Sequence, residues 1–199
     1  MIDLLPLILE HMLIVFTAIL ISIVIGVILG VIAYWVRYVD SVILWVAETL
    51  QTVPSLALLA LLMIFFGLGN TTLVVGLVLY ALLPIVRNTY TGLSGVSPHV
   101  IDAARGMGMS RLQRLVLVEL PLSFPLIFSG IKIAMVNSLS IAVMGVLIGA
   151  GGLGYPIYRG IQSRNLVRIL YGAVPVVLMA LVFDYAMSKV ERQLVNHAR

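Results

Sequence analysis

Apolar residues run through this chain in blocks far longer than the interior of a soluble helix requires, and the polar positions fall between the blocks. From Met12 to Val36 there is no charged residue. At about 1.5 Å per residue such a run crosses a bilayer core of about 30 Å with some tilt. Gly26 and Gly30 inside it either form a small-xxx-small pair that would let a second helix come close or are ordinary membrane-helix glycines. After Arg37 and Asp40 the pattern predicts a second span over 41–66, interrupted by Glu48 and Pro54. Gly67, Gly69 and Asn70 then predict a loop, and a third span over 71–86 is stopped by Arg87.

The longest polar region follows, 87–123, and its punctuation predicts two short helices. Ser97 before Pro98 reads as an N-cap with proline in the first turn. That helix reaches about Gly106 or Gly108. Ser110 followed by Gln113 is a capping-box pattern that opens the second, and Pro121 and Pro125 are expected to end it. A fourth span is predicted over 126–148, with Lys132 near its start. A glycine-rich turn, a polar stretch to Arg168, a fifth span over 169–187 and a charged tail complete the chain. The fold class predicted is all-α: a polytopic membrane protein of about five helices, with one membrane domain over residues 1–199.

Composition agrees with that pattern. Of 199 residues 62% are apolar and 10% charged, and the mean hydropathy is +1.17. A soluble domain is nearer half apolar and about a quarter charged. Without cysteine there are no thiolate metal sites, redox motifs or disulfides. The net charge of +4 is a topological signal rather than a mark of nucleic-acid binding. An external N-terminus places Arg37, Arg87, Arg105, Arg111, Arg114, Lys189, Arg192 and Arg199 inside, with Lys132 near the inner face. Only Arg159, Arg164 and Arg168 then lie outside. Basic residues in short loops mark the cytoplasmic side, so the expected orientation is N-terminus out and C-terminus in. Asp3 and Glu10 occupy the place of a basic n-region, so no cleavable signal peptide is expected.

Several features bear on chemistry. Gly149, Gly151 and Gly154 satisfy the GxGxxG spacing, but the pattern binds dinucleotides only between a strand and a helix. Here it follows a membrane span and reads as a turn at the outer mouth. The only lysines, Lys132 and Lys189, follow Ile131 and Ser188, so no Gly-Lys-Ser/Thr phosphate loop exists in the chain. His11, His99 and His197 lack metal-site spacing, and no nucleophile, base and acid cluster suggests an enzyme. Asn70-Thr71-Thr72 fits a glycosylation sequon without further support.

Glu48 and Lys132 are the charges expected deepest in hydrocarbon, where each costs about 2.5–3.5 kcal/mol at mid-bilayer. Each lies a similar distance from the polar break at the same end of its span. They are therefore expected either to approach each other and pair, or to snorkel separately. Gln51, Thr52, Pro54 and Ser55 in the second span, and Asn137, Ser138 and Ser140 in the fourth, put hydrogen-bonding groups inside apolar stretches. Such groups avoid lipid, so they are candidates for a translocation pathway or for interhelical packing.

The segment DAARGMGMSRLQRLVLVELP, 102–121, is the most specific signature. Asp102, Ala103, Ala104, Gly108, Val118, Leu120 and Pro121 resemble the coupling loop of ABC importer permeases, with Asp102 for the usual Glu and Val118 for the usual Ile. QTVPSLALLALL (51–62), LYALLPIVRNTYTGL (79–93) and IGAGGLGYPIYRGI (148–161) are similar to the osmoprotectant, or quaternary-amine, branch and to its methionine-importer relatives. The resemblance implies a type I importer core in a bacterial cytoplasmic membrane. It also implies a second permease copy or paralogue, cytoplasmic ABC ATPase subunits docked on each coupling loop, and an extracytoplasmic binding protein. ATP and Mg would belong to the ATPase, with no cofactor on this chain. The solute implied is glycine betaine, carnitine, choline or proline betaine, the alternative being a methionine-type importer. An ion-coupled secondary transporter or channel subunit is the rival of another class, and it calls for buried acidic groups at mid-membrane and often an inverted repeat.

Overall fold

The computed structural model describes residues 3–36 and 38–197. Arg37 and Arg199, which enter the charge asymmetry, lie outside them. The chain is helical in nine α-helical segments among the described residues: α1 Leu4–Trp35, α2 Val39–Thr52, α3 Ser55–Phe66, α4 Asn70–Ser94, α5 Pro98–Gly106, α6 Arg111–Arg114, α7 Leu120–Ala142, α8 Gly154–Gln162 and α9 Leu166–His197. A π-helical turn, Leu115–Glu119, joins α6 to α7, and a 3₁₀ turn, Val143–Ile148, extends α7.

Among the described residues four helical stretches are long and apolar enough to cross a membrane: Leu4–Trp35, Asn70–Ser94, Arg111–Ile148 and Leu166–Leu194. The second expected span is instead a bent pair. α2 and α3 meet at 101°, and counting them as one crossing gives five. The cause is Pro54, which has no N–H to donate and forces Val53 out of the helical region, to ψ 127°.

Helix ends differ from the sequence expectations wherever a polar residue has found a partner. α1 begins at Leu4, not near Met12, because Glu10 and His11 are bonded within the bundle. α4 runs past Arg87 to Ser94, since the Arg87 guanidinium meets the Glu48 carboxylate and need not reach water to be satisfied. Residues 87–94 therefore belong to a long helix, not to a loop. α9 likewise extends through Lys189 and Glu191, beyond the expected limit at Met187.

α4 is the central element, packed between α1 and α7, with α9 against α7 and α8. Val15, Ala18, Leu73, Leu77, Ile85 and Leu139 form the heart of the shared core. Close approach depends on small residues. A β-carbon at Gly30 would stand 2.5 Å from Thr89 Cβ, one at Gly26 2.7 Å from Ile85 Cγ2, and one at Gly130 2.5 Å from the Pro84 carbonyl oxygen. The small-xxx-small pair of α1 is thus the seam along which α1 meets α4. Ser22, Thr89 and Ser123 are buried without loss, because each hydroxyl donates to a carbonyl one turn earlier in its own helix: Ala18, Ile85 and Glu119 at 2.6–2.7 Å. The outward faces of α1, α3 and α9 carry Leu13, Leu20, Phe65, Val167 and Leu181 fully in the open, as a lipid-facing surface does.

A candidate coupling segment and its connections

The segment between α4 and α7 is a tight helix–corner–helix unit. α5 ends in a Schellman motif: the Gly108 N–H donates to the Arg105 carbonyl at 2.9 Å, and the Met109 N–H donates to the Ala104 carbonyl at 3.2 Å. Gly108 holds φ at +79°, a left-handed conformation that costs other residues about 1–2 kcal/mol. Two residues on, Ser110 and Gln113 form the expected capping box, with the Gln113 N–H donating to Ser110 Oγ at 3.2 Å and the Ser110 N–H to Gln113 Oε1 at 2.8 Å. The corner is therefore fixed on both sides by its own backbone.

The signature residues divide by role. Ala104 is buried, while Ala103 and Asp102 face outward, and Asp102 accepts from Arg105 at 3.1 Å along the same helix. Val100, Met107 and Leu112 project from the corner as an exposed apolar knob, Met107 at 70% and Leu112 at 59% exposure. These last three carry no signature spacing, and only their place on the corner brings them together. Val118 and Leu120 are half-buried.

Pro121 does not stop the second helix, and neither does Pro125: helix runs unbroken from Arg111 to Ile148. The ladder widens just ahead of the proline, where the Leu120 N–H reaches back to the Leu115 carbonyl, five residues away. A π-turn relieves the clash that a proline makes with the preceding turn. The corner is consequently continuous with α7.

The same turn carries a residue that sequence reasoning passed over. Glu119 is completely buried, and its Oε1 accepts from Arg114 Nε. Beside them, Arg111 stacks 5.1 Å over the Trp35 ring and donates to the Trp35 carbonyl at 2.7 Å, which ties the segment to the end of α1. Arg111 and Arg114 register in the sequence only as cytoplasmic charge. An Arg-x-x-Arg overlapping the capping box, with a carboxylate five residues after the second arginine, is the signal that points to them.

Glu48 and Lys132 do not pair with each other. Glu48 on α2 faces Arg87 on α4, and Lys132 on α7 donates to Glu191 Oε2 at 2.8 Å and Ser188 Oγ at 3.1 Å, both on α9. Ending the third span at Arg87 and the fifth at Met187 removes both true partners from the membrane helices, which is why hydropathy suggests the wrong pair.

The pathway candidates fall into two groups. Ser138 is buried in the bundle, whereas Asn137 and Ser140 stay exposed on one side of α7. Gln51 Nε2 donates to the Tyr80 carbonyl at 2.8 Å, and the Tyr80 hydroxyl donates to the Val53 carbonyl. The carbonyl released by the α2–α3 break is thus satisfied from α4. Thr52 bonds back to the Thr49 carbonyl at 2.7 Å, Pro54 opens α3, and Ser55 Oγ lies 3.3 Å from the Met144 sulfur.

An apolar bundle with one rigid, exposed two-helix corner continuous with a membrane helix is the form of a transport permease. The chain belongs to the family of binding-protein-dependent transport system inner membrane components, whose profile matches residues 22–196. It is 44% identical over 150 residues to the carnitine transport permease protein OpuCD of Listeria monocytogenes, covering 75% of this chain and 67% of that one. It is 36% identical over 185 residues, 93% of this chain and 85% of the other, to the choline transport system permease protein OpuBB of Bacillus subtilis. Its fold is that of a chain in inward-facing MetNI, a methionine ABC transporter, with a TM-score of 0.86 at 22% identity over 96% of this chain and 95% of that one.

Proposed function

We propose that this chain is the membrane subunit of an ATP-driven importer of small quaternary-ammonium solutes, of the glycine betaine, carnitine and choline class. In this reading two permease subunits, identical or paralogous, enclose the path. The coupling corner docks on a cytoplasmic ABC ATPase, and an extracytoplasmic binding protein delivers solute to the opposite face. ATP and Mg reside on the ATPase. The N-terminus lies outside and the C-terminus in the cytoplasm, the arrangement that keeps Arg105, Arg111 and Arg114 inside.

The observation that carries the reading is the corner itself. Gly108 and the Ser110 capping box fix its shape, and Met107 and Leu112 present bare apolar side chains where water would otherwise meet them. Exposed apolar groups on a stiff corner suit insertion into a groove of a partner. Because α6, the π-turn and α7 form one continuous rod, displacement of the corner by a closing ATPase displaces the membrane helix. The exposed polar residues Asn137 and Ser140 on that helix are unsuited to lipid and suit a surface shared with a second subunit or with a hydrated path.

Reconstitution tests this directly. The tagged chain is expected to bring down an ATPase, and proteoliposomes with the binding protein are expected to take up glycine betaine only when supplied with ATP. Uptake driven by an ion gradient without ATP would overturn the reading in favour of a secondary transporter. ATP-dependent uptake of methionine and not of glycine betaine would overturn the solute class alone.

A further inference from the structure

Four features of the sequence that transport leaves unused meet at one place: Glu10, His11, Asn70 and the glycine-rich turn. Glu10 lies on α1, Asn70 opens α4, and the turn 149–153 leads into α8. The Glu10 carboxylate accepts twice, from Asn70 Nδ2 at Oε1 (3.2 Å) and from the Gly152 N–H at Oε2 (3.0 Å). Asn70 Oδ1 in turn accepts the Gly151 N–H at 2.8 Å. One residue on, buried His11 bonds through Nε2 with the Leu139 carbonyl of α7 at 3.1 Å. A β-carbon at Gly151 would overlap the Glu10 carboxylate, and Gly152 holds φ at +90°, so the glycines are there to let a charged side chain reach the backbone. Of the GxGxxG glycines the clasp accounts for Gly151 alone; Gly149 holds φ at +73°, and a β-carbon at Gly154 would press on the Val143 carbonyl.

The other end of α1 is gripped by the coupling segment, through Arg111 on Trp35. From Glu10 to Trp35 is about 37 Å of helix at 1.5 Å per residue. We propose that Glu10 is a positioning residue. It fastens the turn 149–153, and with it α8, to α1, so that α1 carries movement of the coupling segment to the far end of the bundle. The inference rests on the functional reading above, since it supposes that the segment is moved by an ATPase.

The chemistry of the clasp supplies a specific test. Glu10→Gln sets an amide donor against the Asn70 amide, and Asn70→Asp sets two carboxylates side by side. The double variant E10Q/N70D can rebuild all three bonds. The amide introduced on α1 would donate to the carboxylate introduced on α4 and would accept from the Gly152 N–H. That carboxylate would also accept from the Gly151 N–H, and the net charge of the clasp is unchanged. The permease is reconstituted with its ATPase and binding protein, and two quantities are read: assembly of the complex, and glycine betaine moved per ATP hydrolysed.

Each single variant is expected to assemble and to lose about tenfold in solute moved per ATP, the scale of one charge-assisted hydrogen bond. The double variant is expected to recover to within about threefold of wild type. Single variants with the wild-type ratio, or a double variant no better than the singles, would overturn the proposal. So would single variants that fail to assemble, because Glu10 would then serve folding alone. A wild-type complex that moves no solute with ATP fails the functional reading instead, and that result is seen before any variant is compared.

Discussion

Arg114, the last residue of α6, and Glu119, the last of the π-helical turn, form a largely buried ion pair at the point where the corner becomes a membrane helix. Removing one partner of such a pair strands the other without water or counter-charge. Glu119→Leu is expected to destabilise the protein by about 3–5 kcal/mol, and Arg114→Met/Glu119→Leu by much less, because the double change leaves no charge behind. Denaturant unfolding in detergent, followed by tryptophan emission, checks both.

Gly108 has open space around it, so a side chain there meets no obstacle and the whole cost lies in the backbone. Gly108→Leu is expected to leave the protein in the membrane while abolishing solute uptake and stimulation of the ATPase. Gly108→Asn should retain much of both, since asparagine tolerates the left-handed region. Comparing the two variants in proteoliposomes separates the corner's shape from the bulk of its side chain.

Gly130 is the opposite case, because a β-carbon there would press on the Pro84 carbonyl, which belongs to backbone and cannot rotate aside. Gly130→Val is expected to cost about 1–3 kcal/mol and to lower the yield of folded protein. Thermal stability in detergent is the measurement.

The separate partners of Glu48 and Lys132 make a double-mutant cycle decisive. Glu48 with Arg87, and Lys132 with Glu191, should each show a coupling energy of about 0.5 kcal/mol or more on neutralisation, whereas Glu48 with Lys132 should be additive. Coupling between Glu48 and Lys132 in the unfolding free energies would contradict the geometry.

The sequence and the structure part company where a polar side chain is satisfied by something distant in the chain. Hydropathy locates each of the long helices, because burial in lipid demands uninterrupted apolar runs, and the capping box at Ser110 and the turn at Gly108 are visible since they depend on neighbours alone. Arg87 reads as the end of a span because its partner Glu48 stands 39 residues earlier. Pro121 reads as a stop because nothing in the residue order announces a π-turn. Glu10 reads only as evidence against a signal peptide, and its contact with Gly152, 142 residues away, is a product of the fold.

α1 is about 48 Å long, against about 30 Å of oily interior in a bilayer. The stretch between its two fastenings alone exceeds that thickness. With α1 upright and centred in the bilayer, Glu10 and Trp35 both stand at the level of the lipid headgroups. A rod pinned at such levels acts as a gauge: it dictates how deep the molecule floats, and a bilayer too thick or too thin would strain the pins before it disturbed the core.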